Sequence, residues 1–217
     1  KAPANTKTIK GNAELKTYNF RIQVSVLDCT GCGNCIDICP AKTKALIFQP
    51  LETQMEEVER WNYMHYKVGY KETVVAKDRS IKNSQFAQPL FEFSGACAGC
   101  GETPYIKPIT QLFGERMMIA NATGCSSIYG GSAPATPYTY NLKSNCGPAW
   151  ANSLFEDNAE YGFGMFLGVD KLRDRIADRV KKIIERTDVA SEIKLSLKEW
   201  LDNKDNPELS EKAGKRV

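Results

Sequence analysis

The strongest constraint on this chain is a run of four cysteines in its first forty residues. The run reads Cys-Thr-Gly-Cys-Gly-Asn-Cys-Ile-Asp-Ile-Cys-Pro, with thiols at Cys29, Cys32, Cys35 and Cys39 and a proline at Pro40. Three thiolates spaced in this way on a glycine-containing loop can hold three corners of a 4Fe–4S cube, while the fourth cysteine ligates a second cluster. A zinc site would need two Cys-x2-Cys pairs or added histidines. The spacing therefore predicts iron–sulfur ligation.

A second cysteine set follows in a glycine-rich stretch. Cys97 and Cys100 form a Cys-x2-Cys pair in a loop that opens a predicted helix, and Cys125 follows a predicted buried strand. Zinc, a redox dithiol and cluster ligation all fit such a pair taken alone. The three cysteines together suit another 4Fe–4S cluster whose fourth ligand lies elsewhere. Glu102 is either an ordinary acidic residue at a helix start or a carboxylate that binds a cofactor beside the cluster.

Composition limits the remaining chemistry. The 217 residues are 42% hydrophobic and 25% charged, as in ordinary soluble globular proteins. A net charge of +3 gives no electrostatic argument for nucleic acid. The eight cysteines come without an apolar leader and without a run of about 18 apolar residues, which argues against a disulfide scaffold and a membrane span. His65, the single histidine, lies among tyrosines and is interpreted as a packing or surface residue rather than a catalyst.

Hydrophobic periodicity predicts the elements around these motifs. Strands are predicted over 21–27, 45–48 and 117–120, and helices over 52–60, 105–113, 170–186 and 191–201. The strand over 117–120 is expected to be buried and parallel. Ligands bind at the carboxyl ends of strands in open α/β sheets, so Cys125 lies where chemistry is expected. The irregular loop over 128–150 is predicted to be functional or an interface.

Three stretches together resemble the pyruvate:ferredoxin (flavodoxin) oxidoreductases. They are the cysteine run over 29–40, Phe-Ser-Gly-Ala-Cys-Ala-Gly-Cys-Gly-Glu-Thr-Pro-Tyr over 93–105, and Ala-Asn-Ala-Thr-Gly-Cys-Ser-Ser-Ile-Tyr over 120–129. Shorter stretches over 147–150, 152–157 and 160–165 are also similar. The resemblance implies a large homodimeric enzyme that decarboxylates pyruvate on thiamine diphosphate with Mg2+ and forms acetyl-CoA from coenzyme A. Single electrons would pass through three 4Fe–4S clusters to ferredoxin or flavodoxin.

The same resemblance implies roles for individual residues. Cys97, Cys100 and Cys125 would ligate the cluster nearest the thiamine. Glu102 and Cys125 would contact the thiamine diphosphate itself. The ligands of the two ferredoxin-domain clusters would be Cys29, Cys32, Cys35 and Cys39. Cys146 has no counterpart among the family's ligands and is interpreted as structural or free. No catalytic residue is predicted in this chain.

The resemblance also predicts the fold class, which is α/β. Half of a two-cluster ferredoxin-like α+β unit would be joined to part of a thiamine-diphosphate-binding α/β domain. The expected divisions are a surface segment over 1–20, the ferredoxin-like half-domain over 21–50, a linker or crossing segment over 51–90, and the partial thiamine-diphosphate-binding domain with C-terminal helices over 91–217. A second ferredoxin motif and a Gly-Asp-Gly thiamine signature are absent from the sequence. The chain is therefore predicted to be a fragment that is inactive alone.

The expected partners are the rest of the same enzyme chain or complementary subunits, a second copy, and ferredoxin or flavodoxin, with neither nucleic acid nor a membrane span. The expected location is the cytoplasm, or an anaerobic organelle such as a hydrogenosome. The alternatives left open are a stand-alone iron–sulfur electron carrier, a zinc-stabilised interaction module, and a related oxidoreductase that uses another 2-oxoacid or NADP.

Overall fold

The chain forms two structural units, which divide between Phe155 and Glu156. The computed structural model describes residues 2–132 and 135–216. Within these residues both units contain helices, and the first unit adds two small sheets. The mixture of helices and strands agrees with the α/β class expected from the sequence.

The first unit contains four short strands and five helices among its described residues. The strands are β1 (Ile9–Lys10), β2 (Asn19–Phe20), β3 (Met118–Ala122) and β4 (Ala149–Ser153). The helices are α1 (Asn34–Asp37), α2 (Glu56–Tyr63), α3 (Ile81–Ser84), α4 (Thr103–Phe113) and α5 (Cys125–Ser127). Two π-helical turns extend α2 and α5, over Met64–Val68 and Ile128–Ser132. β1 pairs antiparallel with β2, and β3 pairs parallel with β4.

The elements that follow the second cysteine pair were predicted well. The helix expected over 105–113 is confirmed as α4, which begins at Thr103 and has Pro104 in its first turn. Proline suits that turn because the first helical N–H groups have no partner within the helix. The strand expected over 117–120 is confirmed as β3, and its pairing is parallel as predicted. Its partner β4 begins at the end of the predicted loop and was not expected.

The two strands predicted around the first cysteine run are wrong. Residues 21–27 and 45–48 form no strand, and no ladder of backbone hydrogen bonds joins them to a neighbour. A strand is held by such a ladder, so alternating apolar residues cannot form one without a partner. Ile22 is accordingly 70% exposed. A side-chain contact holds this stretch instead, because Arg21 Nη2 lies 2.5 Å from Glu57 Oε2 of α2.

The core of the first unit is centred on Leu90, which is 1% exposed. The Leu90 N–H donates to Thr110 Oγ1 of α4 at 3.2 Å, and the Leu90 carbonyl accepts from the Thr139 N–H at 3.1 Å. Gln111 Nε2 donates to the buried Ala87 carbonyl at 2.9 Å. These bonds satisfy the backbone of a buried stretch that has no regular secondary structure.

A turn over residues 141–146 is closed at its base. The Asn141 N–H donates to the Cys146 carbonyl at 2.8 Å. Gln88 joins this base to the core, because its Oε1 accepts from the Leu142 N–H at 3.0 Å. The tip of the turn is exposed.

The second unit consists of α6 (Asn158–Glu185), α7 (Ser191–Asp202) and α8 (Pro207–Gly214). The helices predicted over 170–186 and 191–201 are confirmed as parts of α6 and α7. The buried apolar side chains of the second unit are Ala177, Val180, Leu197 and Ala213. Asn206 caps α8, since its Oδ1 accepts from two N–H groups at 3.1 Å. Across residues 2–132 and 135–216, none of the helices has both the length and the apolarity needed to cross a membrane.

Candidate functional site

The first cysteine run lies on an exposed loop that leads into α1. Gly31 and Gly33 have φ values of 67° and 83°, a left-handed conformation that glycine adopts without steric cost. Gly33 immediately precedes α1, and Cys35 lies in that helix. The thiols of Cys29, Cys32 and Cys35 are exposed. The loop thus combines free thiols with the tight backbone that a cluster loop needs.

Cys39 lies just beyond α1 in a different environment. Its sulfur accepts a hydrogen bond from the Ala45 N–H at 3.4 Å. Lys44 Nζ lies over the end of α1, where it donates to the Ile36 and Asp37 carbonyls at 2.8 and 2.9 Å. Backbone donation, from Ala45 first, lowers the pKa of Cys39, and the charge of Lys44 adds to the effect. A lowered pKa favours the thiolate, which is the form that binds metal.

The second cysteine pair lies on a tight turn before α4. The Cys100 N–H donates to the Cys97 carbonyl at 3.0 Å, and Gly99 between them has a φ of 73°. Glu102 precedes the first residue of α4 and is exposed. Its carboxylate makes no capping hydrogen bond with the helix. The helix itself therefore does not fix the direction of this carboxylate.

The two cysteine loops touch each other. A Cβ placed on Gly99 would lie 3.1 Å from Nδ2 of Asn34, which directly precedes Cys35. The contact joins stretches that are far apart in the sequence. The two predicted ligand sets are therefore neighbours in space.

Replacement of Gly99 by alanine is expected to lower the free energy of unfolding by about 1 kcal/mol, because alanine is strained at this positive φ. Urea unfolding measures the change. Gly95→Ala is the matched control, since a Cβ there would meet no atom within 4 Å. In the Asn34→Ala background, Gly99→Ala should cost less, because the contact partner has been removed. An unchanged unfolding midpoint for Gly99→Ala would contradict this geometry.

Cys125 lies at the carboxyl end of the parallel pair β3–β4, as the sequence predicted. Gly124 precedes it, and the Gly124 N–H donates to Ser127 Oγ at 2.9 Å. Thr123 Oγ1 donates to the Ser153 carbonyl at 3.1 Å and so joins the ends of the two strands. The position of Cys125 is therefore set by the strand pair.

Tyr129 connects the Cys125 segment with the second cysteine loop. Its side chain is 3% exposed, and its ring packs edge-on against Phe91 with centroids 6.0 Å apart. Burial raises the pKa of Tyr129, and the adjacent Glu102 carboxylate raises it further, with a smaller effect from Cys100. Tyr129 ends the family-like stretch over 120–129, but the sequence predicted no role for it.

The structure brings these loops together without assembling a complete ligand set. Among residues 2–132 and 135–216, no three Cys, His, Asp or Glu side chains converge as a metal site. The individual ligands, and the roles of Glu102 and Cys125 toward thiamine diphosphate, stay predictions. The donor chemistry nevertheless fits an iron–sulfur cluster, with free thiols, left-handed glycines and amide donation to sulfur.

Cys146 and His65 are the two remaining residues discussed from the sequence. Cys146 is exposed on the 141–146 turn, and its Sγ lies 3.4 Å from the Ser144 carbonyl. His65 packs edge-on against Tyr66 and Tyr70, with ring centroids 4.8 and 6.2 Å away. Its packing role was predicted.

Comparison with known proteins bears on both cysteine sets. Residues 22–43, which contain the first run, match the 4Fe-4S binding domain family. The chain is 57% identical over 204 residues to the pyruvate:ferredoxin oxidoreductase of Moorella thermoacetica. It is 56% identical over 204 residues to the pyruvate-flavodoxin oxidoreductase of Enterobacter agglomerans. The pyruvate dehydrogenase (NADP+) of Cryptosporidium parvum is 55% identical over 178 residues.

These matches cover most of this chain but only a small share of each relative. They include 94%, 91% and 81% of this chain, but 17%, 17% and 9% of the respective relatives. The chain thus spans about a sixth of the length of the first two relatives. Over nearly its whole length, the chain is similar to one segment of the pyruvate:ferredoxin and pyruvate-flavodoxin oxidoreductases, a segment that includes a 4Fe–4S binding domain.

Proposed function

We propose that the chain is part of a pyruvate:ferredoxin or pyruvate-flavodoxin oxidoreductase, in which it provides cluster ligands and part of the thiamine diphosphate site. The observation that carries the proposal is the contact between the two cysteine loops at Gly99 and Asn34. Single-electron transfer between two centres needs them close together, and this contact supports that arrangement. The identities of 57% and 56% to relatives with these names give the proposal its substrate and acceptors.

Seven of the eight cysteines have a defined role in the proposal. Cys29, Cys32 and Cys35 would hold one 4Fe–4S cluster, and Cys39 would reach the neighbouring one. The Ala45 amide, which donates to the Cys39 sulfur, would help to set the reduction potential of that cluster. The third cluster would be held by Cys97, Cys100 and Cys125.

The thiamine diphosphate site would lie beside the third cluster. Glu102 and Cys125 would contact the cofactor, and Mg2+ and coenzyme A complete the set that the reaction needs. When bound, thiamine diphosphate supplies the carbon chemistry that releases CO2 from pyruvate, and the clusters supply one-electron acceptors. The chain's own part would be to present the Glu102 carboxylate on the surface, while Tyr129 and Phe91 form a buried aromatic pair.

The final electron acceptor has a second candidate. Relatives from Cryptosporidium parvum and Euglena gracilis, at 55% and 47% identity, are pyruvate dehydrogenases that use NADP(+). Their similarity supports NADP as an alternative final acceptor. A stand-alone electron carrier would account for the first cysteine run but not for the second set beside Glu102.

The assembly follows from the same proposal. The remaining parts of the site would come from the same polypeptide or from complementary subunits, and the enzyme would be a homodimer. Ferredoxin or flavodoxin would receive the electrons, with the cytoplasm or an anaerobic organelle as the place of reaction.

The test uses the native polypeptide, which is the protein containing these residues as it is made in the source organism, purified without oxygen. We expect a brown protein with iron and acid-labile sulfide that reduces ferredoxin or flavodoxin when pyruvate and coenzyme A are both present. The reduction rate with NADP measures the alternative acceptor. A colourless protein that holds zinc, or a brown one that never reduces an acceptor with pyruvate, would overturn the proposal.

The 217 residues expressed alone are expected to oxidise no pyruvate with thiamine diphosphate, coenzyme A and an acceptor. The reason is that the groups that bind pyruvate would lie outside them. A rate of acceptor reduction above that of the same mixture without protein would contradict this expectation. The intact native polypeptide serves as the positive control.

A further inference from the structure

The hydroxyl of Tyr129 is a buried polar group whose hydrogen bond is not accounted for. Its oxygen is shielded from solvent, and within the described residues it makes no hydrogen bond of standard geometry. Buried hydroxyls nearly always have a partner, because loss of hydration is otherwise uncompensated. The ring itself is held by Phe91, with centroids 6.0 Å apart. The position of the hydroxyl is therefore set by the packed ring, and the hydroxyl needs a hydrogen-bond acceptor.

Glu102 is the charged acceptor beside this hydroxyl. The carboxylate lies within reach of the Tyr129 phenol, and it raises the pKa of the phenol beyond the effect of burial. Glu102 is exposed, whereas the Tyr129 side chain is buried. Since this carboxylate does not cap α4, it can accept a hydrogen bond from the hydroxyl instead.

Tyr138 is a second phenol in the same cluster and provides the comparison. Its ring also packs against Phe91, with centroids 5.0 Å apart. Glu102 acts on Tyr138 by charge alone, without a hydrogen bond. Tyr138 thus shares the surroundings of Tyr129 without the same relation to the carboxylate.

We propose that Tyr129 is a positioning residue, whose buried hydroxyl donates to Glu102 and holds its carboxylate in the orientation that binds thiamine diphosphate. This inference rests on the proposed function, because it takes Glu102 as a contact of that cofactor. The hydroxyl fixes the carboxylate before the cofactor arrives. The entropic cost of ordering this side chain then does not weaken the binding of the cofactor.

The test is thiamine diphosphate affinity in the native polypeptide that contains these residues. Tyr129→Phe keeps the buried ring and removes only the hydroxyl. We expect it to raise the dissociation constant about tenfold, the effect of losing one hydrogen bond to a charged group. Tyr138→Phe makes the same deletion in the same cluster and should change the constant by less than about twofold. Iron and acid-labile sulfide content should stay unchanged in both.

A double-mutant cycle separates positioning from a general structural effect. In a Glu102→Ala background, Tyr129→Phe should have no further effect on the dissociation constant, because the group that it positions is gone. The inference is overturned if Tyr129→Phe binds the cofactor as wild type does, or if its effect persists in full without Glu102. A native polypeptide that binds no thiamine diphosphate at all would overturn the proposed function instead, and this inference with it.

Discussion

Cys32→Ser is expected to remove one complete cluster from the native polypeptide, a loss of about four iron atoms and four sulfides per chain. Cys32 is the second cysteine of the first run and lies between Gly31 and Gly33, whose left-handed backbones shape the loop. Serine is similar in size to cysteine but has no thiolate to bind iron. Two cysteines that remain in the loop cannot hold a cube that needs three. Iron and acid-labile sulfide analysis measures the loss.

Cys146→Ser is the matched control for this experiment. Cys146 is exposed like Cys32, but it lies on the 141–146 turn that precedes β4, with the Ser144 carbonyl as its sulfur's neighbour. The control should keep its full iron content. An equal loss of iron in both variants would make Cys146 a ligand, and full iron in Cys32→Ser would refute the cluster assignment of the first run.

Leu90→Ala is expected to lower the free energy of unfolding of the first unit by about 3 kcal/mol. Leu90 is 1% exposed, and its side chain fills the space above Gly114, where a Cβ would lie 2.8 Å from Leu90 Cδ1. Alanine would leave a cavity there, and the backbone bonds to Thr110 and Thr139 prevent the chain from closing it. Urea unfolding followed by circular dichroism measures the change.

Leu142→Ala removes the same atoms from the surface, since Leu142 is 63% exposed. This control should change the free energy of unfolding by less than about 0.5 kcal/mol. Equal unfolding midpoints for Leu90→Ala and Leu142→Ala would show that the core is not centred on Leu90.

Local patterns predicted the helices better than the strands. The apolar spacing over 105–113 and 191–201 identifies α4 and α7, because a helix makes its hydrogen bonds within the segment. The alternation over 21–27 was misleading, since a strand also needs a partner that the pattern does not specify. β4 escaped prediction for a related reason: its residues, Ala-Trp-Ala-Asn-Ser, are poor in β-branched side chains, and pairing with β3 decides their conformation.

In the candidate site, too, local features were predicted from the sequence and contacts between distant residues were not. Cysteine spacing is a local signal, so the sequence alone indicated both cysteine sets, and residues 22–43 match a 4Fe–4S binding domain. The contact between Gly99 and Asn34 joins distant stretches and has no local signal. The buried hydroxyl of Tyr129 is equally invisible in the sequence, because only the packed structure reveals a polar atom without a partner.

The closed base of the 141–146 turn makes this turn a suitable place for an inserted reporter. Since the Asn141 N–H and the Cys146 carbonyl already join the two ends, extra residues between them would lengthen only the exposed tip. The strand that follows keeps its register with β3, so Cys125 would stay where the strand pair sets it. A fluorescent label inserted there would report on the assembly of the proposed oxidoreductase.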